Sequence, residues 1–128
     1  MADELRPDIV KARGLMSATS GAKREIERLG EHLGEDEEVE RMVAGSYGGG
    51  VGLLVLTDRR LLFVKDGRLK KTLEDFPIDK VSSIQWSSQL MLGKLIIFAS
   101  GNKAEVNEVS KRDGEEFADL VRERISTN

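Results

Sequence analysis

The stretch GLLVLTDRRLLFV, residues 52–64, contains two apolar runs separated by Thr57, Asp58, Arg59 and Arg60. Apolar runs of this length around turn-forming residues predict two antiparallel strands joined by a hairpin. Thr57 and Asp58 are expected to hold the turn, because their side chains can hydrogen-bond nearby backbone groups. Alternation along the second strand places Arg59 and Arg60 on opposite faces, which is a poor geometry for clamping one phosphate. We therefore interpret the four residues as a structural turn, with arginines that serve its surface and form weak pairs with nearby acids.

More strands surround this hairpin, because the spacing of apolar residues falls from about 3.6 to about 2 beyond the first helical region. Val39, Arg41 and Val43 are predicted to share one face of the first strand, and Ala104, Val106 and Glu108 one face of the last. An Asp-Gly pair at 66–67 and a Gly-Asn pair at 101–102 are hairpin signals. The predicted strands are residues 39–44, 51–56, 61–65, 69–73, 81–86, 92–100 and 103–109.

Two polar stretches flank the first predicted strand. EDEE, residues 35–38, is interpreted as a solvated acidic turn. GSYGGG, residues 45–50, is predicted to be a flexible loop between two strands. It lacks the lysine and the following helix of a phosphate-binding P-loop. Tyr47 at the loop tip is a candidate interface residue, because exposed aromatic side chains often anchor partners.

Helical spacing marks both ends of the chain. Residues 20–34 are predicted to form a helix capped by Ser20, with an apolar stripe of Ala22, Ile26, Leu29 and Leu33. Near the C-terminus, Asp113 and Glu116 resemble a capping box that starts a final helix. The apolar stripe of this helix consists of Phe117, Leu120, Val121 and Ile125.

The N-terminal segment, residues 1–19, carries its own helical stripe of Leu5, Ile9, Ala12 and Met16. A monomer has little reason to leave such a stripe exposed, so it packs either on its own domain or on a second chain. We favour the second alternative, which makes Leu5, Ile9 and Met16 candidate interface residues of a homo-oligomer.

The order of these elements predicts an α+β fold that is mostly β. One or two N-terminal helices precede seven short antiparallel strands, and a helix follows them. Such strands close best as a barrel or as two packed sheets, and the last helix has the length to cover one open end.

This order resembles the pleckstrin-homology (PH) superfold over residues 35–126. The LLVLTDRRLLFV hairpin and the preceding GEDEEVERMVAG are similar to the bacterial PH-like family called YokE-like. The resemblance implies a binding or assembly module that is not an enzyme. One departure is that eukaryotic PH domains usually carry a tryptophan on the last helix, whereas the single tryptophan here, Trp86, falls on a strand.

Composition excludes several functional classes. The formal net charge is −3, which argues against general binding to nucleic acid and to anionic membranes. The chain has no cysteine and one histidine, His32, so the usual zinc ligand sets are missing and we expect no metal or cofactor. The lack of cysteine and of a signal-peptide pattern leads us to expect a cytoplasmic protein.

The remaining candidates are binding surfaces. Lys65, Arg68 and Lys103 fall in or beside turns expected at one end of the barrel, where they form a candidate weak anion site. The sequence therefore predicts a protein-interaction or self-assembly module whose partner it does not identify. The alternative is a weak peripheral binder of anionic lipid or phosphate head groups. A free sheet edge is also able to accept a peptide strand.

Overall fold

The computed structural model describes residues 5–19, 21–67 and 71–127. Helix α1 is Pro7–Gly14, and helix α2 is Lys23–Arg28, which continues as a 3₁₀ turn, Leu29–His32. The strands are β1 (Val39–Tyr47), β2 (Gly50–Thr57), β3 (Arg60–Asp66), β4 (Lys71–Pro77), β5 (Val81–Ser88), β6 (Leu92–Ala99) and β7 (Asn102–Ser110). A 3₁₀ turn, Ile78–Lys80, joins β4 to β5, and helix α3, Lys111–Thr127, follows β7.

The seven strands form one antiparallel sheet in the order β4-β3-β2-β1-β7-β6-β5. The sheet does not close, so β4 and β5 are its two edges. Side chains from both halves of the sheet and from α3 share one core. The predicted fold class is therefore confirmed, as an open sheet that is bent around a core and covered by a C-terminal helix.

The unbroken apolar runs of residues 52–64 arise because β2 and β3 are buried on both faces. Leu54 and Phe63 belong to the core shared with α3. Leu53 and Leu62 belong to a second core beneath the N-terminal helices. The second core contains Ile9, Ala12, Ala22, Ile26, Leu29, Val39, Met42, Leu53, Val55, Leu62 and Val64. A strand covered on one face only would alternate polar and apolar residues.

The N-terminal stripe lies on this outer face of the sheet. Ile9 and Ala12 of α1 are 1% and 2% exposed, and Leu5 and Met16 pack beside them as partly buried residues. The stripe is thus covered within one chain, which is the alternative that we did not favour from the sequence. The predicted cap at Ser20 lies outside the described residues, and α2 is shorter than the predicted helix.

Two strand predictions are wrong because β-bulges shift the alternation. The pairing of β1 with β2 slips between Val39 and Arg41, so Val39 faces the outer core while Val43 faces the inner one. In β7, Glu108 has a φ of 58° and is exposed, and Val109 takes the inward position. One extra residue in a strand moves every later side chain to the other face.

The prediction that GSYGGG forms a flexible loop is also wrong. Strand β1 continues through Tyr47, β2 begins at Gly50, and only Gly48 and Gly49 form the turn. Both turn residues have positive φ, 64° and 86°, as a tight hairpin turn requires. Gly45 lies inside β1, where a Cβ would come within 2.6 Å of Val106.

Helix α3 begins at Lys111, so Asp113 is not its N-cap. The Asp113 carboxylate instead accepts hydrogen bonds from the Ser17 backbone N–H at 3.0 Å and the Ser17 hydroxyl at 2.8 Å. The Ala18 N–H donates to it at 3.3 Å. This contact ties the N-terminal segment to the C-terminal helix. Phe117 and Val121 of α3 are fully buried in the shared core, as the stripe predicts.

Within the described ranges, none of the helices has the length and apolar character needed to cross a bilayer.

Candidate functional site

The β2–β3 turn is fixed by hydrogen bonds that involve the side chains of Thr57 and Asp58. The buried Thr57 hydroxyl accepts hydrogen bonds from the backbone N–H groups of Arg59 and Arg60, at 3.1 and 3.0 Å. It donates to the Glu37 carboxylate at 2.8 Å. Asp58 accepts from the Glu38 backbone N–H at 3.0 Å. Thr57 therefore holds the backbone of the turn as predicted, whereas the Asp58 side chain ties the turn to the segment before β1.

Arg60 is a structural residue rather than a surface residue. Its Nε and Nη2 donate to the two oxygens of Glu37 at 2.7 and 2.8 Å, and Nη2 also donates to the His32 carbonyl at 2.9 Å. Glu37 is 2% exposed, so the acidic turn EDEE is not wholly solvated as predicted. The hydrogen bonds from Arg60 outweigh the opposing effect of burial and lower the pKa of Glu37 to about 2.

Arg59 behaves as expected from the sequence. Its side chain is more than half exposed, and its closest acid is Asp58, at 4.0 Å. Arg59 and Arg60 therefore do not converge on a common ligand, because Arg60 forms its ion pair with Glu37.

The candidate anion site is not brought together by the described residues. Lys65 lies on β3 and lines a small cavity beside α2 with Arg28 and Asp66. Lys103 lies on β7, lines a different cavity, and forms an ion pair with Glu105 at 3.4 Å. Arg68, the third member, lies outside the described residues.

The candidate binding site is a groove beside the edge strand β4, which we call the β4 groove. Its volume is about 380 Å³, and it lies between β4 and the strands β6 and β7. Its lining residues are Tyr47, Glu74, Asp75, Phe76, Pro77, Lys80, Ile97, Ala99, Ser100, Asn102, Lys103 and Ala104. Ile97 and Ala99 are 1% and 8% exposed, so Phe76 and Pro77 supply accessible apolar surface in their place.

The groove exists because the sheet is bent but not closed. All seven residues of β4 pair with β3, and the strand order places no strand on its other side. The 3₁₀ turn after Pro77 then carries the chain across to β5, where the Ser100 N–H donates to the Lys80 carbonyl at 3.1 Å. This crossing forms one end of the groove.

Tyr47 lines the groove instead of standing at a loop tip. Its hydroxyl donates to Glu74 Oε1 at 2.9 Å, and its ring meets Phe63 edge-on with centroids 5.0 Å apart. Burial, and then the Glu74 carboxylate, raise the pKa of Tyr47 to about 12. Tyr47 is thus a partly buried wall residue that joins β1 to β4.

Three of the four charged side chains that line the groove have partners within the described residues. Glu74 accepts from Tyr47, and Asp75 lies 3.5 Å from Arg60. Lys103 shares its charge with Glu105. Lys80 is exposed and forms no ion pair with any residue that the structure describes.

The titratable side chains that line the groove are Tyr47, Glu74, Asp75, Lys80 and Lys103. In the three described ranges, no three His, Asp or Glu side chains cluster as metal ligands would. His32 lies at the end of the first 3₁₀ turn, where its carbonyl accepts from Arg60.

The comparisons with known proteins agree with the fold. The family model of the bacterial PH domain matches residues 33–123. Among solved structures, the Vps36 N-terminal PH domain has a TM-score of 0.55 at 19% identity, covering 74% of this chain and 83% of that one.

Two bacterial structures are similar as well. A PH domain from Shewanella amazonensis SB2B has a TM-score of 0.55 at 19% identity, with coverage of 80% and 96%. A DUF1696-family protein with a PH domain from Shewanella loihica PV-4 has a TM-score of 0.50 at 17% identity, with coverage of 81% and 92%. The comparison with curated proteins finds no significant match. The family match spans well over half of the sequence and coincides with the seven strands and α3, so this chain belongs to the bacterial PH domain family.

Proposed function

We propose that the chain is a non-catalytic binding module that recognises an extended segment of a protein partner along the free edge of β4. The observation that carries this proposal is the position of that edge, which borders a cavity of about 380 Å³. An edge strand offers unpaired backbone groups to an incoming strand, and pockets beside it select the side chains of that strand.

The composition of the groove supports the same role. Phe76 and Pro77 supply accessible apolar contact area, and other lining side chains hydrogen-bond or carry charge. Sites that bind ligands generally combine a mainly apolar wall with a few polar groups that fix orientation. An extended peptide uses both features, because its side chains alternate in direction.

Recognition of anionic lipid head groups has less support. Lys65 and Lys103 line separate cavities, and Lys103 has an acidic neighbour. The two-residue turn between β1 and β2 consists of glycines and carries no cation. A head group would therefore meet scattered lysines rather than a convergent cradle.

A selection from displayed random linear peptides tests the proposal. We expect the selected peptides to shift the backbone amide resonances of β4 and of the groove walls in ¹⁵N spectra. The variant Asn102→Trp places a large side chain among the residues that line the groove. It should weaken binding by about tenfold or more, because it occupies space that the peptide needs. The matched control is Asn107→Trp, because Asn107 is another exposed asparagine of β7 and does not line the groove.

Resonance shifts confined to another surface, or equal binding by both variants, would contradict the proposal. Failure to select any peptide, together with binding to phosphatidylserine-containing vesicles, would favour the lipid alternative.

A further inference from the structure

The charges of the β4 groove indicate which protein segment fits it, and this inference rests on the proposed function. We propose that the groove selects an acidic–apolar segment, in which an apolar residue is accompanied by Asp or Glu two positions away. The apolar residue would contact Phe76, and the carboxylate would pair with Lys80 or Lys103.

The groove's own acids are already engaged. Glu74 accepts the Tyr47 hydroxyl at 2.9 Å, and Asp75 lies 3.5 Å from Arg60. Arg60 also forms the bidentate pair with Glu37, so a positive group stays fixed beside Asp75. These two carboxylates are therefore poorly placed to select a basic segment, although the formal charges of the lining side chains cancel.

The lysines of the groove are free to take a new partner. Lys80 is exposed and has no acidic partner in the part of the chain that the structure describes. Lys103 is 56% exposed and, among the described residues, pairs only with Glu105, which is 35% exposed. Exposed pairs of this kind are weak and exchange readily for another carboxylate.

Strand geometry sets the spacing. When a segment pairs with β4, every second side chain points to the same face, and these side chains lie about 6.6–6.8 Å apart along the segment. An apolar side chain over Phe76 then has its same-face neighbours two residues before and after it. Lys80 and Lys103 line the same groove as Phe76, and each has a long side chain that is exposed. This geometry predicts acidic residues at the second position from the apolar one rather than at the adjacent position.

The experiment repeats the peptide selection with wild type and with Lys80→Glu/Lys103→Glu. Wild type should enrich Asp and Glu two positions from an apolar residue, and the variant should lose this preference. For a selected acidic peptide, each single charge reversal should weaken binding roughly three- to tenfold, as loss of a weak ion pair and added repulsion imply. Lys111→Glu is the matched control, because Lys111 is exposed but does not line the groove.

The outcomes separate the two proposals. One outcome is that the selected peptides bind the groove of wild type, bind Asn102→Trp more weakly, and still show no acidic preference. That result would overturn this inference and leave the proposed function standing. If no peptide binds the groove, both fail. Binding to phosphatidylserine vesicles that depends on Lys80 and Lys103, without acidic enrichment among peptides, would assign the lysines to lipid and overturn the inference. Circular dichroism of each variant, compared with wild type, shows that the changes leave the fold intact.

Discussion

Replacing Glu37 by Gln keeps the shape of the side chain but removes the charge that Arg60 binds. The pKa of Glu37 lies about 2.5 units below its ordinary value of 4.5. At about 1.4 kcal/mol per unit, the ionised carboxylate contributes roughly 3 kcal/mol to the free energy of unfolding. Glu37 is only 2% exposed, so solvent screens little of this interaction. We therefore expect Glu37→Gln to lower the stability at pH 7 by roughly 3 kcal/mol.

The depressed pKa of Glu37 also determines how the stability depends on pH. Because the folded pKa is depressed, the contribution is present above the ordinary pKa of 4.5 and is lost as the pH falls through about 2. Wild type should lose this part of its stability between these values, whereas Glu37→Gln should show a correspondingly shallower acid dependence.

Urea unfolding followed by far-UV circular dichroism at several pH values measures both effects. Glu35→Gln is the control, because it changes an exposed acid of the same EDEE run. A Glu37→Gln stability within about 0.5 kcal/mol of that control, a range typical of surface substitutions, would refute the reasoning.

Three further predictions concern other contacts. Gly114→Ala would place a Cβ 2.1 Å from the Trp86 ring, so we expect a loss of about 1–3 kcal/mol and altered tryptophan fluorescence; an unchanged urea midpoint would contradict this. Asp113→Asn should cost about 1–2 kcal/mol and speed hydrogen exchange of the Ser17 amide, and unaltered exchange would argue against the contact. Because the pKa of Tyr47 is raised to about 12, wild type should lose stability as the pH rises from 10 to 12, and this loss should be smaller in Tyr47→Phe; equal alkaline unfolding curves would contradict it.

The sequence predicted the parts of the fold that depend on local pattern. The β2–β3 hairpin was readable because turn formers lie between two apolar runs, and the α3 stripe because its spacing is regular. The bulges after Val39 and at Glu108 were not readable, because one extra residue changes the face of a strand without changing its composition. GSYGGG was misread because glycine commonly marks loops, whereas Gly45 lies in β1 at a close approach to Val106.

The candidate site was less accessible from sequence. Glu37 and Arg60 are separated by 23 positions, and nothing within EDEE distinguishes the buried acid from its exposed neighbours. The β4 groove joins residues of β1, β4, β6 and β7, so only the bend of the sheet brings them together. Tyr47 was singled out as a contact residue, but its apparent position at a loop tip followed from the wrong loop assignment.

The bond between Ser17 and Asp113 also has a consequence for how the chain folds during translation. The two residues are 96 positions apart. At translation rates of about 5–20 residues per second, Asp113 follows Ser17 out of the peptidyl-transferase centre after roughly 5–19 s. During this interval the N-terminal segment lacks its hydrogen bonds to Asp113, and the core shared with α3 lacks Phe117 and Val121. The outer face already has its N-terminal helices at this stage, so a ribosome that stalls before α3 would leave the opposite face of the sheet, which α3 covers, open to chaperones and proteases.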